Sequence, residues 1–138
     1  MEFTTYDDIW SCFRDISGLA LDTIPNTDDD IRREIRNGIR SYNIKTDDSE
    51  SKLTFDDMIE TINQRLDDNR LKLLALIIKE NLLTTQLELF EQIYQYDIKE
   101  VKSKFYKDQV TSRESNIAKV NKEILELLGY MDSKDLNE

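Results

Sequence analysis

Apolar residues recur at helical spacing along most of the chain, starting near the N-terminus. In the segment from about Tyr6 to Ile16, Ile9 and Phe13 fall on one side of a helix, as in an amphipathic element. Thr5 precedes this segment and Asp8 follows three residues later, which is the spacing of a capping box. The pattern predicts a first helix that begins directly after Thr5.

A second helix is predicted after a loop in which Pro25 holds Ile24 extended. Thr27 is its N-cap, three aspartates form its first turn, and Asn43 marks its C-terminal stop. The segment 44–52 that follows is polar and acidic, which predicts a mobile loop. The apolar stripe of this helix consists of Ile31, Ile35, Ile39 and Tyr42.

The middle of the chain contains its most apolar segment. Residues 55–66 are weakly periodic and predict a short helix, after which Asp67 or Asp68 caps a longer one. Because the longer helix is apolar on more than one side, we predict that it is central and buried. The pair Thr84–Thr85 predicts a break, followed by a shorter amphipathic piece over 87–94. The apolar residues of the central helix are Leu71, Leu73, Leu74, Ile77, Ile78, Leu82 and Leu83.

The last third of the chain is less regular. Between Tyr96 and Val110 the apolar residues fit no single period, which predicts a long loop or a short β-excursion. Thr111 or Ser112 then caps the last helix, and Gly129 suits the left-handed position that ends a helix. Residues 131–138 predict a frayed polar tail. The stripe of the last helix consists of Ile117, Val120, Ile124, Leu127 and Leu128.

Together these elements predict an all-α fold, a small bundle of four to five helices with long loops. We expect one helical domain over residues 1–131 and a flexible acidic C-terminal tail over residues 132–138. The chain has three glycines and one proline, too few for sandwiches or barrels, which need many tight turns. One buried cluster is predicted to join the second, central and last helices through Ile35, Ile39, Leu74, Ile77, Ile78, Val120 and Ile124.

Composition excludes several function classes. The 138 residues include 29 acidic and 19 basic side chains, a net charge of −10, which argues against a basic nucleic-acid binder. The chain has no histidine, which excludes Ser–His and Cys–His catalysis and imidazole metal sites. The single cysteine, Cys12, cannot form an internal disulfide, and we expect it to be a small buried hydrophobe. The aspartates of 22–30 lack the central glycine of a calcium loop.

The remaining residue chemistry indicates a binding or structural protein. The apolar run Leu73–Ile78 is far shorter than the roughly 20 residues that a membrane span needs. The first residues, Met1–Thr4, do not begin a signal peptide. We therefore expect a soluble, intracellular protein that is not an enzyme, with no cofactor, no metal and no membrane association.

Charge is divided unequally between the two halves. Residues 1–69 hold 17 acidic and 8 basic side chains, a net charge of −9, whereas residues 70–138 carry a net charge of −1. Many of these acids precede or begin helices, where they stabilise free backbone N–H groups. Capping does not account for Asp47, Asp48 and Glu50, which fall in the predicted loop. These three residues are candidates for a repulsive acidic surface or for simple solubilising charge.

A local reversal of charge surrounds two aromatic residues near position 105. Basic residues interleaved with aromatic residues are found in solvated loops, in segments that contact proteins and in segments that bind nucleic acid directly. We predict a partner-binding loop that is poorly ordered in the free protein, with Phe105 or Tyr106 as its anchor. The predicted contact residues are Lys99, Lys102, Lys104, Phe105, Tyr106 and Lys107, with Arg113 nearby.

Residues 28–128 have a distinct layout. Leu66-Asp67-Asp68 leads into the helix Leu71–Ile78, and a second helix ends at Tyr96–Lys99 before a loop and a closing helix. This layout resembles the small head–tail connector proteins (adaptor or head-completion proteins) of tailed bacteriophages. Leu74-Ala75-Leu76 and Asp97-Ile98-Lys99 are the positions that match the leucine-rich helix and the short loop motif of that family.

The resemblance implies a structural role in the virion. Such proteins form rings, commonly of twelve copies, beneath the portal, where they extend the DNA channel and dock a stopper or tail-completion protein. It implies a virion neck protein made in the host cytoplasm, with DNA passing through it without specific binding. Asp47, Asp48 and Glu50 are then expected to face the channel, because a negative wall does not hold phosphates.

Two other classes remain open. One is an acidic inhibitor that mimics DNA, which requires carboxylates spaced like phosphates on one rigid face. The other is a helical scaffolding or regulatory protein that dimerises through the Leu71–Leu83 face.

Overall fold

The computed structural model describes residues 3–47, 52–94 and 100–136. Within these ranges the chain forms four α-helices, one short 3-10 helix and a two-stranded antiparallel sheet, so the predicted all-α fold is confirmed. The elements are α1 (Tyr6–Ser17), the 3-10 helix (Leu21–Thr23), α2 (Asp28–Thr46), β1 (Phe55–Asp56), β2 (Thr61–Ile62), α3 (Asp68–Tyr94) and α4 (Glu100–Leu136).

The predicted starts of the first, second and central helices are confirmed. The Asp8 backbone N–H donates to Thr5 Oγ1 at 3.1 Å, and the Thr5 N–H donates to Asp8 Oδ2 at 3.1 Å, which completes the capping box. Thr27 accepts from the Asp30 N–H at 3.3 Å at the start of α2. Asp67 Oδ1 accepts from the Arg70 N–H at 2.8 Å and begins α3 in the same way.

The C-terminal stop predicted at Asn43 is wrong, because α2 continues to Thr46. The Asn43 side chain does not end the helix and instead binds the chain that returns toward it. Its Nδ2 donates to the Leu53 carbonyl at 2.9 Å, and its Oδ1 accepts from the Leu53 N–H at 2.8 Å. Asp47 ends the helix in the left-handed region with φ 45°. The loop predicted for residues 44–52 therefore begins at residue 47, three residues after its predicted start.

Residues 55–66 do not form the predicted short helix. They form a hairpin in which Phe55 pairs with Ile62, and its strand β2 is also joined to the N-terminus, where the Ile62 N–H donates to the Thr4 carbonyl at 3.0 Å. Tertiary bonds overrode weak local periodicity, because both sides of this hairpin have partners on other elements. The hairpin and its return place Leu53, Ile62 and Leu66 in the core.

α3 is the central helix, as its apolar circumference predicted. Its residues 73–78 are all buried, and α1, α2 and α4 each pack against it. α2 crosses it closely at Gly38, where an added Cβ would lie 2.5 Å from Ile78 Cγ1. The break predicted at Thr84–Thr85 is wrong, because Thr85 Oγ1 donates to the Asn81 carbonyl at 3.0 Å and the helix continues.

α4 overturns the predictions for the last third of the chain. Within the described residues it is one helix from Glu100 to Leu136, so positions 100–110 are not a loop or β-excursion. Thr111, Ser112 and Gly129 lie inside this helix and neither begin nor end it. The division into a domain over 1–131 and a flexible acidic tail over 132–138 stays a prediction, although α4 runs through that boundary.

α4 lies antiparallel to α3. Phe90 near the end of α3 contacts Tyr106 near the start of α4, whereas Glu80, earlier in α3, contacts Asn121, later in α4. Asn121 Nδ2 donates to Glu80 Oε2 at 3.0 Å, and Lys45 Nζ lies 3.4 Å from Glu80 Oε1. The Glu80 carboxylate therefore ties α2, α3 and α4 together at the edge of the core.

The predicted buried cluster is confirmed. Its most exposed member, Val120, is 3% exposed, and the cluster joins α2, α3 and α4.

We expect Leu74→Ala or Ile77→Ala to lower the free energy of unfolding by about 2–5 kcal/mol, because each leaves a cavity in a fully packed site. Urea denaturation measures this. Leu125→Ala, at a position that is 60% exposed on α4, is the control and should change stability by less than about 0.5 kcal/mol. Wild-type stability in both core variants would contradict the central role of α3.

Candidate functional site

The C-terminal part of α3 and the N-terminal part of α4 form an arm, defined here as residues 84–94 with residues 100–113. In this part of α3, Phe90 is the one buried residue among those described. Its ring stacks on Tyr106 with centroids 5.8 Å apart and planes 7° from parallel, and the Arg113 guanidinium carbon lies 4.6 Å from the Phe90 centroid. Aromatic and cation–π packing therefore joins the two helices of the arm.

The arm contains most of the residues predicted to bind a partner, but on a helix and not in a loop. Lys104, Phe105 and Lys107 are exposed, whereas Tyr106 is half-buried against Phe90. Lys102 lies on α4, and Lys99 lies outside the described residues. Of the two proposed anchor residues, only Phe105 remains available to a partner. Tyr106 belongs to the packing of the protein itself.

One side of the arm is apolar and exposed. Leu89, Ile93 and Phe105 are 51%, 65% and 54% exposed. Leu89 and Ile93 are four residues apart and share a helix face. Leu89 precedes Phe90 and Phe105 precedes Tyr106; because the helices are antiparallel, these preceding residues lie on the same side of the pair. Leu89 and Ile93 were not among the predicted contact residues, although their spacing on an amphipathic helix is the signal that identifies them.

The opposite end of the molecule presents a second exposed apolar feature, the hairpin tip Asp57–Glu60. Met58 and Ile59 at this tip are 94% and 64% exposed. Side chains of α1 and α2 bind the two acidic residues that flank the tip, Asp57 and Glu60. The Tyr6 hydroxyl donates to Asp57 Oδ1 at 2.6 Å and Arg36 Nη1 to Asp57 Oδ2 at 2.5 Å, while Arg32 Nη2 donates to Glu60 Oε1 at 3.0 Å. These bonds fix the tip against α1 and α2.

The clamp on the hairpin tip shifts the pKa values of its members in opposite directions. The hydrogen bond from Tyr6, followed by that from Arg36, holds the pKa of Asp57 below its usual range. Burial, followed by the bond to Asp57, raises the pKa of Tyr6 above its usual range. Tyr6 is therefore a neutral donor and Asp57 a charged acceptor at neutral pH.

The acidic residues predicted to face a channel are only partly described. Asp47 is exposed and caps α2 with φ 45°. Asp48 and Glu50 lie outside the described residues. Elsewhere, acids serve helix starts as predicted, as Asp8 and Asp67 do. Asp29 and Asp30 in addition pair with arginines of α2 at 3.0 Å, which the sequence patterns did not predict.

Cys12 lines a cleft of about 540 Å³ between α1 and the start of α3. Burial, followed by the charge of Asp15, raises the pKa of its thiol, so the protonated form predominates at neutral pH. This agrees with a packing role for Cys12.

Among the described residues, no three or more Cys, Asp or Glu side chains are close enough to hold a metal ion together. None of the described helices has the length and apolarity needed to cross a membrane.

Comparison with known proteins identifies the family. The family model of the YomZ prophage protein matches residues 1–132. The chain belongs to the YomZ prophage protein family. A relative is the SPbeta prophage-derived uncharacterized protein YomZ of Bacillus subtilis (strain 168), which is 29% identical over 125 residues, 91% of this chain and 93% of the relative. No solved structure matches the chain. These matches confirm the phage origin that the resemblance implied, and they carry no assignment to the connectors.

The opposite pKa shifts in the hairpin clamp predict the pH dependence of stability. Tyr6→Phe removes a donor to Asp57 and should lower stability by about 1 kcal/mol at pH 7, since water replaces the lost bond at a half-exposed carboxylate. The lowered pKa of Asp57 means that this contribution is present above about pH 4 and fades as pH falls below it. The raised pKa of Tyr6 means that it is complete below about pH 10 and fades above it.

Thermal unfolding of wild type and Tyr6→Phe between pH 3 and 11 measures this difference. Tyr130→Phe is the matched control, because the Tyr130 side chain is 57% exposed. A difference in stability that stays constant across the whole pH range would show that the bond between Tyr6 and Asp57 does not contribute.

The two neighbouring aromatics of the arm should behave differently. Tyr106→Ala removes the stack on Phe90 and should lower the free energy of unfolding by about 1–2 kcal/mol. Phe105→Ala should change it by less than about 0.5 kcal/mol, because the side chain is mostly exposed. Urea denaturation of the two variants compares them directly. Equal losses would mean that Phe105 packs within the protein and is not free for a partner.

Proposed function

We propose that this chain is a structural protein of the phage particle, a head–tail connector that forms a ring beneath the portal. The observation that carries the proposal is the apolar side of the arm formed by Leu89, Ile93 and Phe105. An exposed cluster of large apolar side chains on a small acidic protein favours association, because water contact with it is unfavourable. Membership in a prophage protein family and the small helical fold support the same proposal.

The arm suits a contact that is formed without prior folding. Phe90, Tyr106 and Arg113 already hold α3 and α4 together, so the apolar side is ordered before a neighbour binds. A preorganised surface loses less conformational entropy on binding than a loop does. Lys104 and Lys107 are exposed within two residues of Phe105 along α4, and we assign them to acidic groups of an adjacent subunit or of the portal.

The acidic N-terminal half is proposed to face the DNA channel. Its net charge of −9 repels phosphates, and Asp47, Asp48 and Glu50 are the residues assigned to the wall. In this arrangement DNA passes without specific binding, and the stopper or tail-completion protein docks on the ring. The ring is of about twelve copies, as the resemblance implies, in the neck of the virion, and the protein is not an enzyme.

The two alternatives are less well supported. The Leu71–Leu83 face, the dimer surface of the scaffolding alternative, is largely used inside the protein, where Leu73, Leu74 and Ile77 are buried. The DNA-mimic alternative requires free carboxylates. Among the described residues, several acids are instead neutralised by arginines, namely Asp29, Asp30, Asp57 and Glu60.

The proposal is tested by measuring the mass and shape of the purified full-length chain. Light scattering and electron microscopy, with the chain alone and with the portal of the same phage, should show a ring or a ring bound to the portal. Phe105→Ala should weaken this assembly, because it removes an anchor residue from the apolar side of the arm.

Two controls make the assembly test specific. Leu125→Ala removes an exposed leucine of α4 outside the arm and should assemble like wild type. The triple change of Asp47→Asn, Asp48→Asn and Glu50→Gln should also leave the ring intact, because a repulsive wall does not hold subunits together. A chain that stays monomeric at every concentration and ignores the portal would contradict the connector proposal.

A further inference from the structure

A second feature of the arm is a polar cleft at its inner end, where it meets the rest of the bundle. The cleft has a volume of about 330 Å³ and lies between α3, α4 and the loop that follows α1. Gln86 Nε2 donates to the Thr23 carbonyl at 3.0 Å and fixes that loop against α3. The lining side chains of α3 and α4 are Leu83, Gln86, Gln109, Ser112, Arg113 and Asn116.

Arg113 is a half-buried cation of this cleft and has no anionic partner in the described part of the chain. Among the described residues it forms no salt bridge, and its Nε is buried with no hydrogen-bond acceptor. The Phe90 ring lies 4.6 Å from the guanidinium carbon and stabilises the charge, but an aromatic face leaves the Nε without an acceptor of ordinary strength. A buried donor without an acceptor is unfavourable, and a desolvated cation needs an opposite charge.

The other polar groups of the cleft complement an anion. Two amides, Gln109 and Asn116, and the Ser112 hydroxyl supply neutral donors around the one cation, whereas the Gln86 Nε2 already donates to Thr23. The parallel N–H donors of a planar guanidinium match a carboxylate, which accepts two such bonds. Among the described residues, none of those that line this cleft is acidic, which sets it apart from the cleft beside Cys12, where three aspartates are present.

We propose that the cleft beside Arg113 is a carboxylate-binding site. Arg113 supplies the charge, and the amides and the hydroxyl orient the bound group. The carboxylate belongs either to a small free acid or to an acidic side chain of another copy of this chain. The site does not depend on the connector proposal, because a monomer contains every residue that forms it.

Glutarate is the test probe for the free acid, and its neutral diamide is the matched control. We expect glutarate to raise the Tm of the wild-type protein saturably, and neither the diamide nor sodium chloride of equal ionic strength to do so. Arg113→Gln should weaken glutarate binding about 10- to 100-fold, as the loss of a charge-assisted hydrogen bond predicts. Arg14→Gln, which removes an exposed arginine of α1 outside the cleft, should leave it unchanged.

A second variant keeps the test valid if Arg113→Gln disturbs the packing of Phe90. Ser112→Leu fills the cleft from an exposed helical position and leaves Arg113 in place. It should reduce glutarate binding without lowering the stability of the unliganded protein. Glutarate binding that survives both variants would place the site elsewhere and overturn the proposal.

Sedimentation of the protein without added acid, which measures its self-association, distinguishes the two sources of the carboxylate. If a second copy supplies the carboxylate, sedimentation should show association of wild type that Arg113→Gln abolishes and that glutarate reverses. If a free acid is the ligand, glutarate binds and leaves the association state unchanged. The absence of both glutarate binding and any effect of Arg113→Gln on association would overturn the proposal.

Discussion

The structure depends on the burial of α3, a helix that is apolar around its circumference. Six consecutive residues, 73–78, are buried, and no single neighbouring element can cover all sides of a helix. α1, α2 and α4 therefore surround it, and α2 approaches closely enough at Gly38 that a side chain there would meet Ile78. Each surrounding helix needs only a narrow apolar stripe, which explains how a chain with 35% charged residues still forms a packed core.

α3 is also longer than the core that it organises. Its 27 residues span about 40 Å, and beyond Leu83 it packs mainly on α4 through Phe90. The hairpin tip lies near the N-terminal end of α3 and the arm at its C-terminal end, so the two exposed apolar features lie far apart. A protein with different apolar features at opposite ends can associate head to tail, which produces a ring or a filament and not a closed dimer.

Sequence patterns predicted the elements whose signals are local. The caps at Thr5, Thr27 and Asp67 and the seven core residues were confirmed, because a cap and an apolar stripe depend on residues a few positions apart. The hairpin was missed because its stability comes from Tyr6, Arg32 and Arg36, which are 21 to 51 residues away from the acids that they bind. No local pattern shows those bonds.

The error at the start of α4 has a different cause and decides how the candidate site is understood. A regular 4-3 spacing continues from the arm into the core through Tyr106, Val110, Arg113, Ile117, Val120 and Ile124. This spacing was missed because Phe105, and not Tyr106, was placed in the apolar series. Arg113 was also treated as a surface charge. Arg113 occupies a half-buried position in this series because its guanidinium lies over the Phe90 ring. Each of the two proposed sites therefore contains a residue that departs from ordinary packing: an apolar residue on the exposed side, Phe105, and a cation on the buried side, Arg113.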